Sequence, residues 1–217
     1  MRRNALRLPK LYAIVDAANF AQEKDPAQAL LQFACELSAS GVTLLQYRNK
    51  QGSAKEILSH GRELKRIMGE RTQLIMNDRA DLCLAAGFGG VHVGQNDLSP
   101  AGARRVLGED KIIGFSTHNL EQAVAAECDA ADYIAIGPIF ATRSKDKPDP
   151  LVGIAGLKEI RKHVRKPLVA IGGITRETCQ EVIAAGADAV AVVGGLVDTS
   201  GENSSRTRAE DFLRRLE

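Results

Sequence analysis

The sequence predicts an α/β fold, a single-domain (β/α)8 TIM barrel. Three observations lead there. Eight short apolar runs alternate with stretches of helical periodicity. The runs are rich in Val and Ile, as strands covered on both faces are. Glycine closes several of the helical stretches just before the next run, at Gly41, Gly69, Gly87, Gly108 and Gly186. In chain order, the strand Leu11–Val15 precedes a helix over Pro26–Ser40, whose Ala29, Leu30, Phe33, Ala34 and Leu37 share one face. Strand Val42–Tyr47 leads to a helix at Ser53–Met68, opened by a capping box of Ser53 and Glu56. Strands follow at Gln73–Met76, Gly90–Val93, Ile112–Phe115, Tyr133–Ile136, Leu168–Ile171 and Ala189–Val193. The helices after them are expected over Arg79–Ala86, Ser99–Leu107, Leu120–Cys128, Ala155–His163, Glu177–Ala185 and Ala209–Leu216. A doubly wound open sheet satisfies the same alternation. Residues 1–217 read as one catalytic domain, with residues 1–9 a loosely ordered N-terminus and 199–207 a polar surface loop.

Bulk properties narrow the function. Twenty-nine Lys and Arg stand against 27 Asp and Glu, a balance that disfavours a nucleic-acid surface. Trp is absent and aromatics make up only 4%, so no base-stacking platform is expected. No apolar run reaches the length of a membrane span, and no signal core follows Met1. The cysteines, Cys35, Cys83, Cys128 and Cys179, form no Cys-x-x-Cys pair, which removes zinc and redox motifs. The first three read as buried reduced thiols, and a cytoplasmic setting is expected. A homo-oligomer is compatible with all of this.

Polar residues gather where the apolar runs end. Gln46, Arg48 and Lys50 alternate along one strand end and so share a face, aiming an amide and two cations at one spot. Asp78 and Asp97 end the third and fourth runs and are expected to face each other. Two carboxylates beside an anion site repel the ligand unless a cation lies between them, and Mg2+ accepts both kinds of oxygen. The plainer readings are a helix cap for Asp78 and a turn for Asp97. Ser116 ends the fifth run, offering a hydroxyl to an anion or a cap to the next helix. Thr142, Ser144 and Lys145 lie in the longest non-helical stretch, which a solvated loop would also explain. Gly172–Gly173 and Gly194–Gly195 end the last two runs, where backbone N–H groups can cradle phosphate. Two anion pockets result, one of Arg48, Lys50, Ser116, Lys145 and a metal, the other of Thr142, Ser144 and the glycine pairs. His92 and His118 read as core or peripheral groups, and His60 and His163 as helix-surface residues. No nucleophile stands beside a base, which disfavours covalent acyl chemistry.

The ordered set Leu11–Asp16, Gln46-Tyr-Arg-Asn-Lys50, Asn77-Asp-Arg79, His92-Val-Gly-Gln-Asn-Asp97, Gly114-Phe-Ser-Thr-His118, Gly137-Pro-Ile-Phe140 with Thr142 and Lys145, and Ala170-Ile-Gly-Gly-Ile174 resembles the thiamine-phosphate synthase family. The resemblance implies a Mg2+-dependent transferase. Such enzymes join hydroxymethylpyrimidine pyrophosphate to hydroxyethylthiazole phosphate and release pyrophosphate, the bond to pyrophosphate breaking first. It further implies Asp78 and Asp97 as metal ligands. Arg48, Lys50, Asn77, Ser116 and Lys145 would hold pyrophosphate, with Lys145, Arg48 and Ser116 carrying the catalytic contacts. Gln46 would touch the pyrimidine, and Thr142, Ser144, Gly173, Val193 and Gly194 the thiazole phosphate. The chain departs from the family pattern at Tyr47 (Leu or Phe), Asn49 (Glu), Ala141 (Pro) and Gly194 (Ser). A thiazole tautomerase of the same fold and a non-catalytic binder of thiamine intermediates are the alternatives. The tautomerase would need His118 and not the two aspartates.

Overall fold

The computed structural model describes residues 6–142, 150–197 and 204–217. Eight parallel strands close into a barrel in chain order: β1 (Leu11–Asp16), β2 (Leu44–Arg48), β3 (Gln73–Asn77), β4 (Gly90–Val93), β5 (Ile112–Thr117), β6 (Tyr133–Ile136), β7 (Leu168–Ile171) and β8 (Ala189–Val192). The last strand pairs with the first, Leu11 opposite Val190 and Ala13 opposite Val192, which removes the open-sheet alternative. The helices are α1 (Pro26–Ala39), α2 (Ala54–Met68), α3 (Ala80–Ala86), α4 (Pro100–Leu107), α5 (Leu120–Glu127), α6 (Gly153–His163), α7 (Cys179–Ala184) and α8 (Ser205–Leu216).

Strand periodicity divides the apolar residues between two cores. Ala13, Val15, Leu45, Tyr47, Met76 and Val91 point outward and pack beneath the helices in the larger core. Tyr12, Ile14, Leu44, Ile75, Tyr133, Ala135, Val169, Ala189 and Ala191 fill the barrel interior, and Leu6 and Leu8 pack against this inner cluster. Each fully buried Leu or Ile here contributes about 1.5–3 kcal/mol. The five glycines expected to stop helices all have positive φ, from 66° at Gly69 to 111° at Gly186.

Some expectations are corrected. β2 starts at Leu44 rather than Val42, and β5 runs on to Thr117. The last helix begins at Ser205, four residues before Ala209, with Ser204 accepting the Thr207 N–H. Its first turn, Ser-Arg-Thr-Arg, has no apolar residue to mark it, so periodicity is blind there. Short 3-10 turns at Ala17–Phe20 and Gly194–Leu196 were not foreseen. Cys35 and Cys128 are exposed rather than buried, while Cys83 and Cys179 are buried. Among the described residues no helix is long and apolar enough to cross a membrane.

Candidate active site

Inward-facing positions that are apolar at mid-strand become polar at the C-terminal tips, where this fold exposes its strand ends. Two cavities open there. One, of about 270 Å3, is lined by Gln46, Arg48, Lys50, Asn77, Asp78 and Asp97 among others. The other, of about 450 Å3, is lined by Thr142, Gly172, Gly173, Val193, Gly194 and Gly195 among others. Ser116, His118 and Val193 line both, so the cavities are neighbouring lobes of one mouth. Of the described residues assigned to the two anion pockets, Arg48 and Lys50 line the smaller lobe, Thr142 and the two glycine pairs line the larger, and Ser116 lines both.

The smaller lobe is built from charged side chains. Asp16 ends β1 beside Arg48, the two strands being in register at that point, and the pair forms a salt bridge. Lys50 lies 3.3 Å from Asp78. Asp97, whose carboxylate accepts the Gly94 N–H at 2.9 Å, stands close enough to Asp78 to perturb it. Burial, and then the Asp97 carboxyl, push the Asp78 pKa up, against the opposing pull of Lys50. Asp78 is also the one non-glycine residue with positive φ, 60°, among the described residues. Left-handed backbone costs a non-glycine residue about 1–2 kcal/mol and clusters at functional sites. Asp78 does not cap α3, whose N-cap position is Arg79 without a side-chain cap. Asp97 does serve a turn through Gly94.

The fit of a cation follows from this donor set. The described charged residues of the lobe are Arg48 and Lys50 against Asp16, Asp78 and Asp97, two cations against three carboxylates. Such a lining has a net negative charge and repels a diphosphate unless further positive charge is present. Among the described residues no group of three or more His, Cys, Asp or Glu could cage a metal. A hard cation that keeps waters and phosphate oxygens as ligands needs only one or two carboxylates, and the Asp78–Asp97 pair offers two.

A row of buried polar side chains underlies this lobe. Gln46 Nε2 lies 2.9 Å from Tyr12 Oη, and Tyr12 Oη lies 2.9 Å from Tyr133 Oη. Tyr133 Oη lies 3.0 Å from His92 Nδ1, and His92 Nε2 lies 2.8 Å from Ser116 Oγ. Complete burial pushes the His92 pKa down to about 4, so the imidazole is neutral near pH 7, and burial pushes Tyr12 and Tyr133 up. Sequence reading took His92 for a satisfied core group, and both its nitrogens are satisfied. That one of its partners is the Ser116 hydroxyl at the mouth is not visible from strand pattern alone.

The larger lobe is built from backbone. Gly172 has φ 100°, and a Cβ there would lie 2.7 Å from Pro138 Cα. Gly173 has φ 64°, and a Cβ there would strike the Ala141 carbonyl oxygen and lie 2.8 Å from Phe140 Cβ. Both positions therefore require glycine, for curvature and for space. Gly194 is different: a Cβ would meet nothing within 4 Å, and its φ lies outside the left-handed range. It opens the short 3-10 turn Gly194–Leu196. His118 sits at the junction, its Nδ1 donating to the Gly137 carbonyl at 2.9 Å.

Ser144 and Lys145 lie outside the described residues. Ser116 is not a cap, because Asn119 accepts the Gln122 N–H at the start of α5. Sequence reading missed Asp16, Tyr12 and Tyr133. Asp16 stood in the quoted motif as a strand-end carboxylate, so its charge beside Arg48 was the available signal. The departures at Tyr47 and Asn49 prove to be partners. Tyr47 Oη contacts His60 Nδ1 at 2.8 Å, and Asn49 Nδ2 donates to Tyr47 Oη at 3.3 Å and to Glu56 at 3.0 Å. His60 is thus half-buried under a tyrosine rather than a surface residue.

The family model described as "Thiamine monophosphate synthase" matches residues 11–196. A thiamine-phosphate synthase of Koribacter versatilis is 59% identical over 213 residues, covering 98% of each chain. Another, of Shouchella clausii, is 44% identical over 190 residues, covering 87% of this chain and 88% of the relative. Among solved structures, the thiamine phosphate pyrophosphorylase of Pyrococcus furiosus superposes with a TM-score of 0.82 at 30% identity, covering 96% of this chain and 95% of the other.

Proposed function

The chain belongs to the thiamine monophosphate synthase family, with the transferase activity of a thiamine-phosphate synthase, and we propose how its two lobes divide that reaction. Hydroxymethylpyrimidine pyrophosphate occupies the smaller lobe, and hydroxyethylthiazole phosphate the larger. Asp78 and Asp97 hold a Mg2+ ion. The ion, when bound, supplies charge neutralisation at the diphosphate oxygens. Arg48, Lys50, Asn77 and Ser116 hold the diphosphate from this chain's side, and Gln46 orients the aminopyrimidine. Lys145 joins the diphosphate set, and Ser144 the thiazole phosphate set, on the family resemblance alone. Thr142, Gly173, Val193 and Gly194 complete the thiazole phosphate site.

The chemistry needs little from the protein beyond placement and charge. The carbon–oxygen bond to the diphosphate breaks, its electron pair leaving with pyrophosphate, and the aminopyrimidine delocalises the charge left behind. The thiazole nitrogen lone pair then forms the new carbon–nitrogen bond. No protein nucleophile is required, which agrees with the absence of a nucleophile–base pair noted in the sequence. Arg48, Lys50 and the Ser116 hydroxyl stabilise the leaving group's growing charge, and the apposition of the lobes holds the acceptor nitrogen within reach.

The observation carrying this reading is the pair of neighbouring carboxylates, with a raised Asp78 pKa, inside an anion lobe that is otherwise short of positive charge. The tautomerase and non-catalytic alternatives are not favoured, since the relatives spanning nearly the whole chain are synthases. The test is direct. Purified protein, both substrates and Mg2+ should yield thiamine phosphate and pyrophosphate in equal amounts. Chelator should abolish product, and added Mg2+ should restore it. Undiminished turnover in excess chelator would remove Asp78 and Asp97 from the metal role.

A further inference from the structure

The buried row Gln46–Tyr12–Tyr133–His92–Ser116 crosses the barrel interior from the tip of β2 to the tip of β5. It spans five strands with four hydrogen bonds; Gln46, Tyr12, His92 and Ser116 line the smaller lobe, and Tyr133 lies beneath it. The middle of the row depends on a missing side chain. His92, Gly114 and Tyr133 stand in register on three adjacent strands. A Cβ at Gly114 would fall on the Tyr133 ring and against His92 Nδ1. With glycine there, the His92 and Tyr133 rings meet over β5, centroids 5.6 Å apart and 25° from parallel.

Such a row has a direction. An amide nitrogen only donates, so Gln46 Nε2 gives its proton to Tyr12 Oη. One assignment keeps both tyrosine protons within the row: Tyr12 donates to Tyr133, and Tyr133 donates to His92 Nδ1. An imidazole with a lone pair at Nδ1 and one proton carries that proton on Nε2, and donates it to Ser116 Oγ. The oxygen of Ser116 is thereby engaged as an acceptor, and its one proton is left to point into the lobe. Turning the Gln46 amide over would reverse every bond and draw the Ser116 proton back toward His92.

We propose that Tyr12, Tyr133 and His92 are positioning residues forming a polarised relay, in which the orientation of the Gln46 amide makes Ser116 a hydrogen-bond donor to the bound anion. In this polarity Gln46 Oε1 faces the ligand and accepts from a donor such as an exocyclic amine. A donor at one end and an anion at the other therefore reinforce the same direction. The functional half of this inference rests on Ser116 contacting the diphosphate. The polarity itself does not.

The test has two arms that fail separately. Two-bond 1H–15N correlation spectra of the full-length protein, with 15N-labelled histidine, report the protonation of each ring. The His92 signals are assigned by their loss in His92→Gln. The expected pattern is a single tautomer with the proton on Nε2 and a bare, hydrogen-bonded Nδ1 near pH 7.5. In Tyr133→Phe the Nδ1 resonance should move toward that of an unbonded nitrogen. A wild-type ring with its proton on Nδ1, with both nitrogens protonated, or with tautomers mixed overturns the relay. The second arm is kinetic. Ser116→Ala should lower kcat about tenfold or more in the wild type, and less than about threefold in the Tyr133→Phe background, where the hydroxyl is no longer aimed. The KM for the thiazole phosphate should stay unchanged in Tyr133→Phe. Equal losses in the two backgrounds overturn the aiming role. A silent Ser116→Ala with the expected tautomer overturns the assignment of Ser116 to the diphosphate and leaves the relay standing.

Discussion

The two lobes of the barrel mouth differ in what they would offer the anions proposed for them. The smaller presents ionised and hydroxyl side chains at the strand ends, held by salt bridges and by a buried polar row. The larger is shaped by backbone, where glycine at 172 and 173 lets the chain turn under Phe140 and Ala141. A lobe made of side chains is sensitive to charge and aim, and its residues can be exchanged with little effect on folding. A lobe made of backbone is sensitive to volume, and its residues affect binding and stability together.

Asp78→Asn should break the smaller lobe most severely. Turnover should fall by about 100-fold or more. The melting temperature should hold or rise, because asparagine tolerates the left-handed backbone and removes a carboxylate pressed against Asp97. A large loss of stability with near-normal turnover would reverse the comparison. Gly173→Ala should do the opposite kind of damage. The added methyl collides with the Ala141 carbonyl, so a stability loss of about 1–3 kcal/mol is expected. Affinity for the thiazole phosphate, measured by calorimetry, should weaken roughly tenfold.

The pH dependence of stability sharpens the contrast from inside the smaller lobe. His92 has its pKa depressed from 6.5 to about 4 by burial. The unfolded chain takes up a proton there below about pH 6.5 and the folded chain does not. The His92 contribution to stability is therefore present above pH 6.5 and is lost as pH falls toward 4, by at most about 3 kcal/mol. Denaturant midpoints measured from pH 7.5 to 4.5 should decline less steeply in His92→Gln than in the wild type. Parallel declines would mean that His92 is already charged in the fold. The smallest effect belongs to Gly194→Ser. The site has room and an ordinary φ, so the variant should fold as the wild type does. The serine hydroxyl should lower the KM for the thiazole phosphate by about two- to fivefold. A raised KM would show that the space is used by the ligand.

The barrel was legible because its strands are short, doubly covered and separated by amphipathic helices that end in glycine. Ser205–Arg208 was hidden for the opposite reason, a helical turn with no apolar residue. Gln46, Arg48 and Lys50 could be grouped because period-two alternation gives them one face, and Asp78, Asp97 and Ser116 because they follow the ends of other apolar runs. What alternation cannot reveal is which residues meet across the barrel. Tyr12 and Tyr133 are 121 positions apart and look like ordinary core aromatics until their hydroxyls are seen 2.9 Å from each other. Likewise the Asp16–Arg48 pair depends on the register of β1 against β2, which single-strand patterns leave open. The left-handed backbone at Asp78 is set by tertiary context rather than by its neighbours in sequence.

The contact of Tyr47 and Asn49 with His60 and Glu56 bears on any attempt to exchange parts with relatives. A glutamate at 49, as the family pattern prefers, would place a second carboxylate beside Glu56 and take away the amide that now bridges it to the tyrosine hydroxyl. Restoring one family-typical residue alone should therefore cost more than restoring the segment from 47 to 60 together. Ancestral reconstruction or chimera building should treat that stretch as one heritable block.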